Sequence, residues 1–102
     1  MPSVQQITKL LESDPQDPFL LYAMAQEHVK QGDLPRAVEF FDRAAAANPD
    51  DAYTYFHKAR TLGRMGRRAE QADTLRAGIA VARRTGDGKA LGELEFALDE
   101  LD

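Results

Sequence analysis

The sequence predicts an all-α fold in which two helical hairpins stack between a leading helix and a C-terminal capping helix. Apolar residues recur at helical spacing along almost the whole chain, and strand-like alternation is almost absent. Breaks that carry glycine, proline and aspartate divide the chain into six segments. Two of these breaks contain Gly32 and Gly66, which lie 34 residues apart. The length of 102 residues corresponds to a single domain, residues 1–102.

The leading helix is predicted over residues 3–13, with Ser3 as its N-cap. The segment DPQDP ends it, because proline constrains its own backbone and that of the preceding residue. A second helix then begins with Asp17 as the capping residue and Pro18 at the first helical position. The apolar stripes are Val4, Ile7, Leu10 and Leu11 in the first helix, and Leu21, Met24, Ala25 and His28 in the second.

The third and fourth helices follow from the next two breaks. Gly32 is predicted to end the second helix in a left-handed conformation, and Asp33 to cap the third. The segment NPDD, residues 48–51, forms the next turn, and Gly66 ends the fourth helix. The predicted apolar faces are Ala37, Val38, Phe41, Ala44 and Ala45 in the third helix, and Tyr55, Ala59 and Leu62 in the fourth.

The last two helices are separated by the segment TGDG at residues 85–88. The fifth helix precedes this break, and a capping helix is predicted over residues 88–101. Their apolar faces are Ala72, Leu75, Ile79 and Ala82 in the fifth helix, and Leu91, Leu94, Leu98 and Leu101 in the sixth.

Residues 34 positions apart agree in size, which indicates two copies of one helix–turn–helix unit. Large residues match large ones, small residues match small ones, and the turn glycines coincide. The matched pairs are Leu21 with Tyr55, Ala25 with Ala59, His28 with Leu62, Phe41 with Leu75, and Ala44 with Gly78. We therefore expect one continuous core that includes Ala25, Phe41, Ala44, Ala59, Leu62 and Leu75.

These features resemble the tetratricopeptide repeat family and small stand-alone bacterial members of it. Residues 18–51 match the repeat well, from Leu21 and Met24-Ala25 through KQGD to Phe41 and the terminal Pro49. Residues 52–85 match in register with departures at Lys58, Gln71 and Arg83. Because Arg83 replaces the terminal proline, the fifth helix is expected to continue to about Arg84. The resemblance implies a right-handed α-solenoid.

Composition favours a soluble protein of the cytoplasm. There is no cysteine, which excludes disulfides and thiolate metal sites and fits a reducing compartment. The first 14 residues contain no apolar run long enough for a signal peptide or a membrane span. Charge is distributed unevenly: residues 1–51 and 87–102 are acidic, whereas residues 52–86 carry eight Lys or Arg and two Asp or Glu.

No residue pattern indicates an enzyme, a cofactor or a metal site. His28 lies on an apolar face and is expected to be packed, whereas His57 lies on another face and suits contact with a partner. The segment GDGK, residues 86–89, lacks the other residues of a phosphate-binding loop, so it is interpreted as a helix break.

The family resemblance implies a concave groove, lined by the first helix of each hairpin, that binds a peptide. Helical spacing supports such a surface, because Tyr22, Gln26 and Lys30 form one stripe and Phe56, Arg60 and Arg64 another. The alternative is that the aromatic residues pack against neighbouring helices and the arginines are solvated. The family's carboxylate clamp for chaperone tails is absent, since its lysine and asparagine are not present at the corresponding positions. The predicted groove residues are Phe19, Tyr22, Gln26, Lys30, Tyr53, Phe56, His57, Arg60 and Arg64.

We therefore predict a protein–protein interaction module for a peptide or protein that is acidic and apolar. The alternative is a structural protomer that self-associates as a homodimer, with acidic and basic segments pairing between chains. RNA binding through the basic residues 57–84 is disfavoured, because both flanking segments are acidic. A monomer in solution favours the groove, whereas a tight dimer favours the alternative.

Overall fold

The computed structural model describes residues 3–101, and within this range the protein consists of six α-helices and no strands. The outermost ends of the predicted domain, residues 1–2 and 102, lie outside the described part. The helices are α1 Val4–Ser13, α2 Pro18–Lys30, α3 Leu34–Ala47, α4 Ala52–Arg64, α5 Arg68–Thr85 and α6 Gly88–Asp99. The predicted all-α fold is confirmed.

Side-chain caps determine where most of these helices begin. Ser3 accepts a hydrogen bond from the Gln6 backbone N–H, and the Gln6 side chain accepts one from the Ser3 N–H, which together form a capping box. α5 lacks a side-chain cap, but Glu70 lies in its first turn, where the helix dipole favours a negative charge. Carboxylates cap the other four helices, namely Asp17, Asp33, Asp51 and Asp87.

The turn glycines have the left-handed backbone that the sequence predicts. Gly32 has a φ of 78° and Gly66 a φ of 75°, a region that favours glycine. The N–H of the residue after each glycine donates back across the helix end, from Asp33 to the His28 carbonyl and from Arg67 to the Leu62 carbonyl. This is the hydrogen bond of a Schellman motif, so both hairpins turn in the same way.

Most of the buried apolar side chains within residues 3–101 fall into three clusters, and the prediction of one continuous core was wrong. All six predicted core residues are buried. One cluster lies between α4, α5 and α6, whereas two lie around α1, α2 and α3. The physical reason is that each element of a solenoid packs only against its neighbours, so the core is built in layers. Tyr22 packs against both of the N-terminal clusters.

The departures of the second repeat are accommodated by local packing. The large Gln71 side chain fits because Gly63 faces it: a Cβ added to Gly63 would lie 2.6 Å from the Gln71 amide nitrogen. Lys58 is only partly buried, and its Nζ lies 2.7 Å from an Asp42 carboxylate oxygen. Both departures therefore have compensating neighbours, Gly63 in the same hairpin and Asp42 of α3 in the preceding one.

The fifth helix extends to Thr85, as the missing proline predicts. Its last turn is tied to the turn between α3 and α4. The Arg84 guanidinium lies 2.7 Å from an Asp50 carboxylate oxygen and donates to the Pro49 carbonyl at 3.3 Å. Because these groups are exposed, the ion pair contributes little stability, about 1 kcal/mol or less.

Candidate partner-binding groove

Two adjoining pockets between α2 and α4 form the candidate site, which we call the α2–α4 groove. The larger pocket has a volume of about 570 Å³ and the smaller one about 100 Å³, and the His57 side chain lines both. The larger pocket is lined by Pro18, Phe19, Tyr22, Ala44, Asn48, Asp51, Tyr53, Thr54 and His57. The smaller pocket is lined by Gln26, Val29, Phe41, His57, Arg60, Thr61 and Arg64.

Aromatic rings line part of the larger pocket, and Phe19 is its most exposed apolar group. Phe19 is 74% exposed although it is a large hydrophobic residue. Its position is fixed by the start of α2, where its backbone N–H donates to the Asp17 carboxylate at 2.9 Å. With Tyr22 and Tyr53 it forms a pocket wall that offers apolar area to a ligand.

His57 stands at the junction of the two pockets and is held by aromatic neighbours. Its ring stacks on Phe41 at 6.3 Å and meets Tyr22 edge-on at 5.5 Å and Phe56 edge-on at 5.7 Å. Burial lowers the pKa of His57, and the positive charge of Arg60 lowers it further. The ring is therefore predominantly neutral at pH 7.

Two arginines give the smaller pocket its positive charge. Arg60 and Arg64 are exposed and stand one turn apart on α4, and neither forms an ion pair with another described residue. The Arg60 guanidinium lies 5.9 Å from the centre of the Phe56 ring. On the opposite wall Gln26 donates to the Tyr22 hydroxyl at 2.8 Å. The arrangement leaves both guanidinium groups available to a carboxylate.

Seven of the nine residues predicted for the groove line one of its pockets, and two do not. Lys30 has its ammonium 3.3 Å from the Glu27 carboxylate, an exposed pair on α2 itself. Phe56 packs against the cluster between α4, α5 and α6, and its ring meets the groove residue His57 edge-on. The seven are Phe19, Tyr22, Gln26, Tyr53, His57, Arg60 and Arg64.

The contribution of α3 and of the turn that follows it was not predicted from the sequence. Ala44 and Asn48 line the larger pocket and are four residues apart, so their spacing places them on one helix face. Asp51 also lines this pocket, but its carboxylate accepts a hydrogen bond from the Tyr53 N–H at 3.0 Å. That carboxylate is thus engaged in capping α4.

The other residues considered for chemistry have structural surroundings. His28 is buried and stacks on Phe40 at 5.4 Å, as the sequence predicts for a packed histidine. Gly86 ends α5 with a φ of 74°, and Asp87 caps α6. Within residues 3–101 no three potential metal ligands lie together, and no helix is long and apolar enough to cross a membrane.

Comparisons with known proteins identify the fold. A profile of the tetratricopeptide repeat family matches residues 18–61, and no curated protein sequence matches significantly. A tetratricopeptide repeat domain protein from Salinibacter ruber, solved by NMR, is 39% identical with a TM-score of 0.80. The alignment covers 87% of this chain and 90% of that chain.

More distant solved structures share the fold. The TPR2B domain of yeast Sti1, solved in its pHsp70 complex, is 19% identical, with a TM-score of 0.87 over 96% of this chain and 78% of that one. PcrH, solved with the chaperone binding region of PopD, is 13% identical, with a TM-score of 0.88 over 96% and 74%. With a relative of 39% identity aligned over most of both chains, this protein belongs to the tetratricopeptide repeat family.

Proposed function

We propose that this protein is an interaction module that binds an extended segment of a partner protein in the α2–α4 groove. The observation that carries the proposal is the combination of an exposed aromatic wall with two arginines that lack ion-pair partners among the described residues. Exposed aromatic area and free guanidinium groups are typical of binding sites. Solved complexes of Sti1 and PcrH, which share this fold, support a protein partner.

The two pockets suggest the chemistry of the partner segment. An apolar side chain suits the larger pocket, beside Phe19 and Tyr53, and a carboxylate suits Arg60 and Arg64. His57 precedes Arg64 by seven residues, which is roughly 10 Å along a helix. An extended peptide covers that distance in about three residues. The expected motif is an apolar anchor with aspartate, glutamate or a free C-terminus about three residues away.

Binding by one small groove should be weak and dependent on salt. We expect dissociation constants in the micromolar range, or roughly −8 kcal/mol. Added salt should weaken binding, because the arginines are exposed and their attraction to a carboxylate is screened. The cysteine-free composition suits a partner in the cytoplasm.

A display library of random nonapeptides, selected on the purified protein, tests the proposal. Selected peptides should share an apolar residue and an acidic residue about three positions apart. Synthetic copies should bind the Arg60→Gln/Arg64→Gln variant about tenfold more weakly. A matched control is Lys9→Gln/Arg36→Gln, which removes two exposed positive charges outside the groove and should leave affinity unchanged.

Two outcomes would reject the proposal. One is that selection yields no peptide that binds, while the protein sediments as a tight homodimer; self-association would then be its function. The other is that both double variants lose affinity equally, because binding would then reflect net charge rather than the groove.

A further inference from the structure

We infer that α6 is a third wall of the binding surface and selects partner segments with a basic residue beyond the acidic one. This inference rests on the proposed function and deepens it. The sequence assigns α6 only the role of a capping helix. Its apolar face, including Ala90 and Leu94, does cover the end of the stack.

Packing shows which side of α6 faces the groove, because Tyr53 of α4 packs against the cluster that contains Ala90 and Leu94. Glu93 lies on the side of α6 away from Glu95, which is paired with Arg83 of α5. Burial raises the pKa of Tyr53, and the Glu93 carboxylate beside its hydroxyl raises it further. The same carboxylate opposes the lowering of the His57 pKa. Tyr53 and His57 both line the larger pocket. Both the packing and the pKa directions thus place Glu93 on the groove side of α6.

The opposite side of α6 is recognised by its contacts with α5. Glu95 lies 3.3 Å from the Arg83 guanidinium, and both line a separate pocket together with Asp99. Phe96 and Glu100 follow Glu93 by three and seven residues, so helical geometry places them on the Glu93 side. α6 thus presents a second exposed surface next to the groove.

This surface, which we call the α6 face, combines an exposed aromatic ring with carboxylates. Phe96 is 68% exposed. Glu93 and Glu100 are exposed too, and neither is ion-paired with any residue in the described range. Lys89 stands one turn before Glu93 and offsets one of the two charges. The net charge of the α6 face is therefore negative, opposite in sign to the charge of the adjoining arginines.

Charge complementarity identifies the occupant of the α6 face. Positive groups on α4 and negative groups on α6 lie on neighbouring helices, yet no ion pair joins them in the described residues. A segment that runs from the larger pocket along α4 past Arg60 and Arg64, and then on to Glu100 of α6, would meet an aromatic pocket, two guanidinium groups and then a carboxylate. Its complement is a peptide with apolar, acidic and basic residues in that order, in either chain direction.

Paired selections from the same nonapeptide library test this inference. On the wild-type protein, lysine or arginine should be enriched beyond the acidic position. The Glu93→Lys/Glu100→Lys variant should replace that preference with glutamate or aspartate. Synthetic peptides ending in lysine should bind this variant about threefold to tenfold more weakly than the wild type. The control variant Glu12→Lys/Glu39→Lys makes the same charge change at exposed positions elsewhere.

The outcomes separate this inference from the proposed function. Peptide affinity that falls in the Arg60→Gln/Arg64→Gln variant but is unchanged in the Glu93→Lys/Glu100→Lys variant would overturn the role of α6. The proposed binding in the α2–α4 groove would remain supported. An equal loss of affinity in the control variant would also overturn it, because the effect would then be one of net charge. If no peptide is selected at all, the proposed function is rejected. The role of α6 is then rejected too, because it depends on peptide binding.

Discussion

Replacing Phe41 with alanine should remove a large part of the free energy of unfolding of this protein. The Phe41 side chain is 1% exposed. It packs edge-on against Tyr22 at 6.0 Å and is stacked with His57 at 6.3 Å. Truncation of such a buried ring costs about 3–5 kcal/mol, through lost burial and the cavity left behind. Pairs of aromatic rings contribute about 0.5–1.5 kcal/mol of that total each.

Urea denaturation followed by circular dichroism measures this loss. A domain of this size has a free energy of unfolding of about 5–15 kcal/mol. With a slope of about 1–3 kcal/mol per molar urea, the midpoint of Phe41→Ala should fall by about 2 M. The control Arg64→Ala changes an exposed residue of the groove and should alter stability by less than about 0.5 kcal/mol. Equal midpoints for the two variants would show that the buried and exposed helix faces have been assigned incorrectly.

Three other predictions concern backbone, protonation and metal. Gly92→Ala should stabilise the protein by about 0.5–1 kcal/mol in urea unfolding, because an added Cβ meets nothing within 4 Å. Gly32→Ala should destabilise the protein, because residue 32 has a φ of 78°, which alanine adopts only with strain. Because the folded pKa of His57 is lowered, the unfolded state takes up the proton first, and stability should fall as pH drops below about 6.5; His57→Gln should reduce that fall. EDTA should leave the melting temperature unchanged, since no ligand cluster lies within the described residues; a shift would contradict this.

The order of the helices could be predicted from the sequence because each boundary carries its own local signal. Asp17 and Asp33 cap helices through their side chains, and Gly32 adopts the left-handed backbone that ends one. These effects involve neighbouring residues alone. The extension of α5 followed from Arg83 in the same way, because a proline was missing where the repeat usually has one.

The candidate site could be predicted only in part, because it depends on contacts between helices. Spacing along one helix placed Arg60 and Arg64 together. It could not show that Asn48, in the turn after α3, would line the same pocket as Tyr22. Nor could it show that Phe56 would pack away from the pockets or that Glu93 would lie beside Tyr53. The division of the core into layers was likewise a result of stacking between hairpins.

We propose that a partner segment occupies the α2–α4 groove, and amide chemical shifts of the ¹⁵N-labelled protein can locate the bound peptide. The probe is the tightest nonapeptide from the library selection, added at increasing concentrations. We expect the largest shift changes at Tyr22, His57 and Arg64, which line the two pockets. Shift changes confined to the region around Arg43 on α3 and Arg76 on α5, with the groove residues unaffected, would show that the peptide does not bind in the α2–α4 groove.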